Sequence, residues 1–274
     1  MPTDTPLVQL RGLTKRFGAV QALSDVKLDI PAGQVTALAG DNGAGKSVLI
    51  KTLAGLWAPD AGEIVWQGTP VHLHGPKDAE ELGITTIYQD LALCDNLDIV
   101  QNMFLGHEAL RFGMLDEPTM ETAARRTLES LSVTTVRSIR QPVASLSGGQ
   151  RQSVAVAKAV MAEAKLVIMD EPTAALGVSQ TRMVLDLISH LSERDVAVLM
   201  VSHNLNDVFS VADRIAVLYL GTLVASGPAS AFDSQVVVDL MTTGFSDRVA
   251  KAQSDRSAAT ASAGVWTEDG GSSR

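Results

Sequence analysis

Apolar and polar positions change their period several times along this 274-residue chain. Near the start the pattern alternates: Val26, Leu28 and Ile30 are separated by single polar residues, the spacing of a strand with one buried face. Residues 7–10 (LVQL) form another short β-rich run, and 63–73 (EIVWQGTPVHL) reads as a hairpin turning near Gly68. These segments predict an antiparallel layer. Between them lies VTALAGDNGAGKSVLIKTLAGL, an apolar strand, a glycine loop and a helix whose Leu49, Ile50, Leu53 and Ala54 share a face.

From Leu91 to about Ala162 the period turns helical, with one helix after Pro118 and another from near Gly149. Unbroken apolar runs return in LVIMD (166–170) and VAVLMVSH (196–203), separated by a helix over Gln180 to Leu191. Such runs fit parallel strands buried on both faces. The expected fold is α/β: one domain over 1–245, with core and β-subdomain in 5–91 and 163–245 and a helical subdomain inserted at 92–162. Residues 246–274, rich in Ser, Ala, Gly and charge without periodicity, are expected to be a disordered tail. No internal repeat is visible.

Composition narrows the class. At 46% hydrophobic and 19% charged, the chain can bury an ordinary globular core. A formal net charge of −9 with no Lys/Arg run argues against nucleic acid or anionic lipid as the main partner. Cys94 is the single cysteine, which rules out an internal disulfide and a cysteine-based zinc site. The start MPTDTPLVQL lacks a secretory pattern, so a reducing, cytoplasmic setting is expected. A membrane span needs about 20 mostly apolar residues, and no wholly apolar run here exceeds six. Ile215 to Phe232 is uncharged, but Gly221, Thr222, Gly227 and Pro228 break it into a buried hairpin. Any membrane crossing is left to another chain.

Chemistry concentrates at a few motifs. GDNGAGKS, with Gly40, Asp41, Asn42, Gly43, Ala44, Gly45, Lys46 and Ser47, fits the phosphate-binding P-loop pattern G-x-x-x-x-G-K-[ST] between a strand and a helix. Its glycines let backbone N–H groups, continuing to Val48, converge on phosphate oxygens, and the helix N-terminus adds partial positive charge. Lys46 would reach the β- and γ-phosphates and Ser47 would ligate Mg²⁺. LVIMDEP sets Asp170 and Glu171 at a strand end on the same edge of the sheet. Asp170 is the candidate Mg²⁺ ligand, and Glu171 the base that orients and deprotonates the attacking water. VSHN brings His203 to that edge as a γ-phosphate contact. Gln89, just past ITTIY, offers a neutral amide to Mg²⁺ or the water.

GDNGAGKS, YQD, LSGGQRQ, MDEP and VSHN, in that order, resemble the nucleotide-binding subunit of ATP-binding cassette (ABC) transporters over about residues 5–245. The resemblance implies a RecA-like P-loop NTPase core, ATP and Mg²⁺ as ligands, and ATP hydrolysis coupled to transport. Ser147, Gly148, Gly149 and Gln150 match the family's signature loop, which contacts the γ-phosphate held by the opposite subunit. A homodimer with two shared sites follows, placed peripherally on the cytoplasmic face of the membrane. Phe17 matches the aromatic residue that stacks on adenine, with a core-filling ring as the alternative. DLALCDNLDIVQNMFLG (90–106) matches the segment where a multi-span permease docks, and its exposed apolar residues would suit that contact.

Gly177 departs from the aspartate many members carry in SALD, which puts the usual contact across the dimer in doubt. GDNGAGKS, YQDLALCDNL and EPTAALGV look like the ATPases of bacterial monosaccharide importers of the ribose, xylose and fructose type, which work with an extracytoplasmic solute-binding protein. The competing class is a soluble ABC ATPase acting on DNA or ribosomes. The roughly 100 residues between Gly45 and Ser147 carry no sustained heptads, and the acidic charge disfavours nucleic acid. An ATP-binding regulator without turnover is disfavoured by the presence of base, metal ligand and histidine together.

Overall fold

The computed structural model describes residues 5–133 and 135–246. In chain order these form β1 (Val8–Phe17), β2 (Val20–Ile30), β3 (Val35–Ala39), α1 (Lys46–Leu53), β4 (Ala61–Trp66), β5 (Thr69–Val71), α2 (Pro76–Leu82) and β6 (Ile84–Ile87). There follow α3 (Ile99–Phe104), β7 (Leu110–Arg111), β8 (Met114–Leu115), α4 (Glu117–Ser130), α5 (Gly148–Met161), β9 (Leu166–Asp170) and α6 (Val178–Glu193). The described chain closes with β10 (Ala197–Val201), α7 (Leu205–Val211), β11 (Arg214–Tyr219), β12 (Thr222–Pro228) and α8 (Ser234–Thr243). Apart from Ser246, the stretch expected to be a tail lies outside the described residues.

The main sheet runs β12-β11-β3-β10-β9-β6, parallel throughout except for β12 at its edge. Its central strands are buried on both faces, which is why they read as apolar runs, interrupted in β3 only by Thr36. Val35, Ala37 and Ala39 of β3 face the core formed with the helices, as do Val167 and Met169 of β9. Leu38, Leu166 and Ile168 face a second core shared with β1, β2, β4 and α1. That second core is roofed by the antiparallel sheet β2-β1-β4-β5. The alternating polar residues of β2 lie on its outer face, where solvent replaces packing.

The stretch read as helical holds α3, α4 and α5, and also a small hairpin, β7–β8. Phe112 (φ 53) and Gly113 (φ 80) make its two-residue turn. Arms of two residues are too short to show a period. Arg140 ties this region together, donating to Asp98 at 3.1 Å, Glu117 at 2.7 Å and Glu121 at 2.6 Å, across the starts of α3 and α4. The three carboxylates hold its guanidinium firmly protonated. Asn102, buried in α3, accepts from Cys94 N and donates to the Cys94, Leu97 and Asp98 carbonyls, shaping the loop beyond Gln89.

Candidate nucleotide and catalytic site

The register of the main sheet assembles the site. Val201 of β10 pairs with both Leu38 and Asp170, and Ile87 of β6 pairs with Met169. The next residues of all four strands therefore leave the sheet on one edge: the Gly40 loop, Glu171, His203 and Gln89. Parallel strands gather ligands at this edge.

The glycine loop is tight for steric reasons. A Cβ on Gly45, whose φ is 105°, would lie 2.7 Å from Ala22 O, and one on Gly40 would lie 2.6 Å from Leu218 O. Only glycine lets the loop nest between β2 and β11. The first N–H groups of α1, at Lys46, Ser47 and Val48, have no partner within the helix and point outward, the arrangement that binds anions. Lys46 Nζ folds back over the loop, donating to Gly40 O at 2.8 Å and Asp41 O at 3.1 Å. Asp41 also shapes the turn through Asn42 N at 2.7 Å and Ala44 N at 3.1 Å. Charge, donors and a cradle that a Cβ would fill fit a phosphate chain.

Asp170 is half-buried at the end of β9. Burial, and next the neighbouring Glu171 charge, push its pKa up, while Lys46 and Lys51 oppose the rise. Glu171 takes φ 50, a left-handed backbone that is uncommon for a side chain of its size, and its N–H bonds Val201 O at 2.9 Å. This turn aims its carboxylate at His203, whose Nδ1 lies 2.8 Å from Glu171 Oε1. An ionised carboxylate only accepts, so with Glu171 ionised Nδ1 is the donor of this bond, and in the neutral ring Nε2 is then an acceptor. Donation from Nε2 to a phosphate requires the imidazolium, and donation from Nδ1 requires release from Glu171.

Among the described residues no cluster of three or more His, Cys, Asp or Glu could hold a metal. A Mg²⁺ here would rest on oxygens of Ser47, Asp170 and Gln89, with Asp170 the one carboxylate, plus phosphate, as this ion commonly does. Gln89 is exposed past β6, at the rim of the same edge.

Ser147 to Gln150 belong to a different neighbourhood. Ser147 caps α5, accepting Gln150 N–H at 3.4 Å, while Gln150 Oε1 accepts Ser147 N–H at 2.9 Å and Gln150 Nε2 donates to Thr135 O at 2.7 Å. A Cβ on Gly148 would lie 2.7 Å from the tip of Leu176 and one on Gly149 3.2 Å from Gln180 Cβ, so α5 starts close beside the turn leading into α6. Ser147 itself is exposed. The contacts of Ser147 to Gln150 run to Thr135 on the helical side, through Gln150, and to Leu176 in the turn before α6, through Gly148.

Two features escaped sequence reading. Thr173 Oγ1 donates to buried Asp207 at 2.6 Å, strapping the turn after Glu171 to the helix that follows His203. Tyr88 stands beside Asp170; its phenol pKa is raised chiefly by burial and further by that carboxylate, against a hydrogen bond with Thr86. The pairs join residues far apart in sequence and carry no local signal. In the segment 90–106, Leu91 and Leu93 pack against the core, and among its large hydrophobic residues Leu105 is exposed. The larger exposed apolar surface comes later, at Leu110, Phe112, Met114 and Leu115 of the hairpin.

Residues 23–174 match the sequence pattern of the family described as ABC transporter. The chain is 47% identical over 223 residues to the fructose import ATP-binding protein FrcA of Rhizobium meliloti, covering 79% of this chain and 86% of that one. It is 44% identical to the xylose/arabinose import ATP-binding protein XylG of Sulfolobus acidocaldarius, covering 86% of this chain and 94% of that one. A ribose import ATP-binding protein of Rubrobacter xylanophilus is 42% identical, and there the match spans 46% of the relative's length. Among solved structures, a nucleotide-free ATP-binding cassette from an ABC transporter superposes with a TM-score of 0.71 at 24% identity, over 81% of this chain and 91% of that one. The ADP conformation of another such cassette gives 0.74 at 23% identity, over 86% and 95%. Fold, motif order and the match over more than half its length together place this chain in the ABC transporter family.

Proposed function

We propose that this chain is the ATP-hydrolysing, energy-coupling subunit of an ABC importer for a monosaccharide. The observation that carries the chemistry is the convergence of the Gly40–Ser47 loop, Asp170, Glu171, His203 and Gln89 on one sheet edge. The sugar rests on relatives at 42–47% identity, whose names specify fructose, xylose/arabinose and ribose import.

In this reading the Gly40–Val48 stretch, through the N–H groups it does not bond within its own turn, and the Lys46 ammonium hold the β- and γ-phosphates. Phe17 stacks on adenine. Ser47, Asp170 and Gln89 hold Mg²⁺, which when bound neutralises charge on the β- and γ-oxygens. Glu171 takes the proton of the attacking water, and His203 steadies Glu171 before turning to the γ-phosphate. Ser147, Gly148, Gly149 and Gln150 come from a second copy and close the site from the other side. The division into a core (5–91 and 163–245) and a helical signature subdomain (92–162) lets that closure move one part against the other.

No helix among the described residues is long and apolar enough to cross a membrane. The chain acts as a homodimer at the cytoplasmic face of the membrane, against multi-span permease chains that receive substrate from an extracytoplasmic solute-binding protein. The permease contact spans residues 90–106 and extends to the exposed β7–β8 hairpin. ATP hydrolysis measured alone, with co-purified membrane protein and with nucleic acid tests the assignment. Stimulation by the membrane protein is expected; stimulation by nucleic acid alone overturns it in favour of a soluble ABC ATPase.

A further inference from the structure

The ring that ends β1 does not stand alone. Phe17 is 41% exposed, and its ring meets that of Trp57 edge to face, centroids 4.8 Å apart and planes at 69°. Trp57 lies just beyond α1, its N–H bonding Lys51 O at 3.3 Å, and the Lys51 ammonium sits 4.8 Å from the centre of its ring. A Cβ on Gly45 would lie 2.7 Å from Ala22 O, and Phe17 pairs with Val20, two residues earlier in β2, so the strand end that carries the ring borders the phosphate-facing glycine loop.

The strand end carrying Phe17 is stapled to the same turn. Asp60 Oδ2 accepts Arg16 N–H at 2.6 Å, and Asp60 N–H bonds Thr14 O at 2.9 Å. Lys15 Nζ donates to Ala58 O at 2.7 Å and Asp60 Oδ1 at 3.1 Å, and lies 5.6 Å from the Phe17 ring centre. The Arg16 N–H first, then Lys15, hold the Asp60 carboxyl below its ordinary range. Residues 14–16 are thus fixed to Ala58 and Asp60, immediately ahead of a ring that stands at an exposed strand end. A stacking platform gains from that restraint, because a ring already held in plane loses less freedom when a base covers it.

We propose that Trp57 is a positioning residue for the purine: it sets the plane of the Phe17 ring, with the Lys15–Asp60 staple anchoring the strand end beneath it. This inference rests on the reading of Phe17 as the adenine-stacking residue. It assigns Trp57 to base affinity and leaves phosphate binding to the glycine loop.

Calorimetric titration of the full-length chain with ATP, and separately with inorganic triphosphate, tests it in wild type, Phe17→Leu, Trp57→Leu and the double variant. From the usual worth of an edge-to-face pair, Trp57→Leu is expected to weaken ATP about three- to tenfold. Triphosphate affinity should stay within about twofold, and Trp57→Phe should restore most of the ATP affinity. In the Phe17→Leu background, Trp57→Leu should add less than about twofold, since the ring it positions is gone. Equal losses for ATP and triphosphate would make Trp57 a folding residue, and losses that multiply in the double variant would make it an independent contact; either overturns the proposal. A loss in Phe17→Leu with none in Trp57→Leu removes this inference alone. Unchanged ATP affinity in Phe17→Leu removes the stacking reading and this inference with it.

Discussion

Ser147→Ala separates what the signature loop does inside its own chain from what it does for a neighbour. Within the chain the hydroxyl accepts Gln150 N–H at 3.4 Å, a long bond, while the return bond from Ser147 N–H to Gln150 Oε1 at 2.9 Å survives the substitution. N-cap losses run about 0.5–2 kcal/mol. With the long bond lost and the short one kept, the lower end, about 0.5 kcal/mol, applies, a drop in Tm of roughly 1–2 °C for a chain of this size. A domain stable by about 5–15 kcal/mol stays folded after such a change. If the hydroxyl contacts a transferring phosphate, turnover should instead fall by about 10²–10³. Phosphate release and a melting curve on the same preparation distinguish the two.

The same variant also tests in which chain the site is completed. Mixed in equal amounts, Ser147→Ala and Lys46→Ala chains each lack one half of a shared pocket, but their mixed dimer contains one intact pocket. Random pairing makes half the dimers mixed, each with one working site of two, so about a quarter of wild-type turnover should return. A pocket built within one chain recovers nothing. Near-normal hydrolysis by Ser147→Ala, or no recovery on mixing, refutes the shared-site argument.

Glu171→Gln keeps the size of the side chain and removes the base, so ATP binding should persist while kcat falls by about 10²–10⁴; single-turnover phosphate release measures it, and a normal rate removes Glu171 from the chemistry. Gly177→Asp meets open space, since a Cβ there touches nothing within 4 Å and the backbone, at φ −74, is open to any residue. Aspartate caps a helix slightly better than glycine, by a few tenths of a kcal/mol. Tm should therefore rise by up to about 1 °C, and the Hill coefficient for ATP should increase if this residue reaches across the dimer; a fall in Tm shows the position is not open. Asp170 has its pKa raised by burial and by Glu171, so the folded chain holds that proton more tightly than the unfolded one. Stability is therefore lost as pH climbs from the ordinary carboxylate value through the raised one, and the cost persists above it. Asp170→Asn should melt higher than wild type near about pH 8 and converge with it in acid below the carboxylate range, while losing hydrolysis. Equal melting at both ends would contradict the electrostatic account.

Much of the site was legible because its carriers are strongly periodic. β9 and β10 announce themselves as apolar runs, and β3 as one broken only by Thr36, since strands packed on both faces cannot alternate. The polar residues at their ends then stand out as the edge where chemistry gathers. Less visible were α2, α7 and α8, short helices whose placement depends on packing against the finished sheet. The two-residue arms of β7 and β8 left no period to read.

The order of residues by itself determined the main strands and helices of the core, which loop can cradle phosphate, and which acids and histidine leave the same edge of the sheet. Those features follow from local periodicity and from backbone geometry that glycine alone allows. Only the tertiary structure decided that Glu171 adopts a left-handed backbone and meets His203, that Thr173 straps to Asp207, and that Trp57 backs Phe17. It also decided that the end of the Leu176 side chain lies against Gly148. The reason is distance along the chain: such contacts form where separate elements are brought together by burial of the whole core, and no local pattern records the partner.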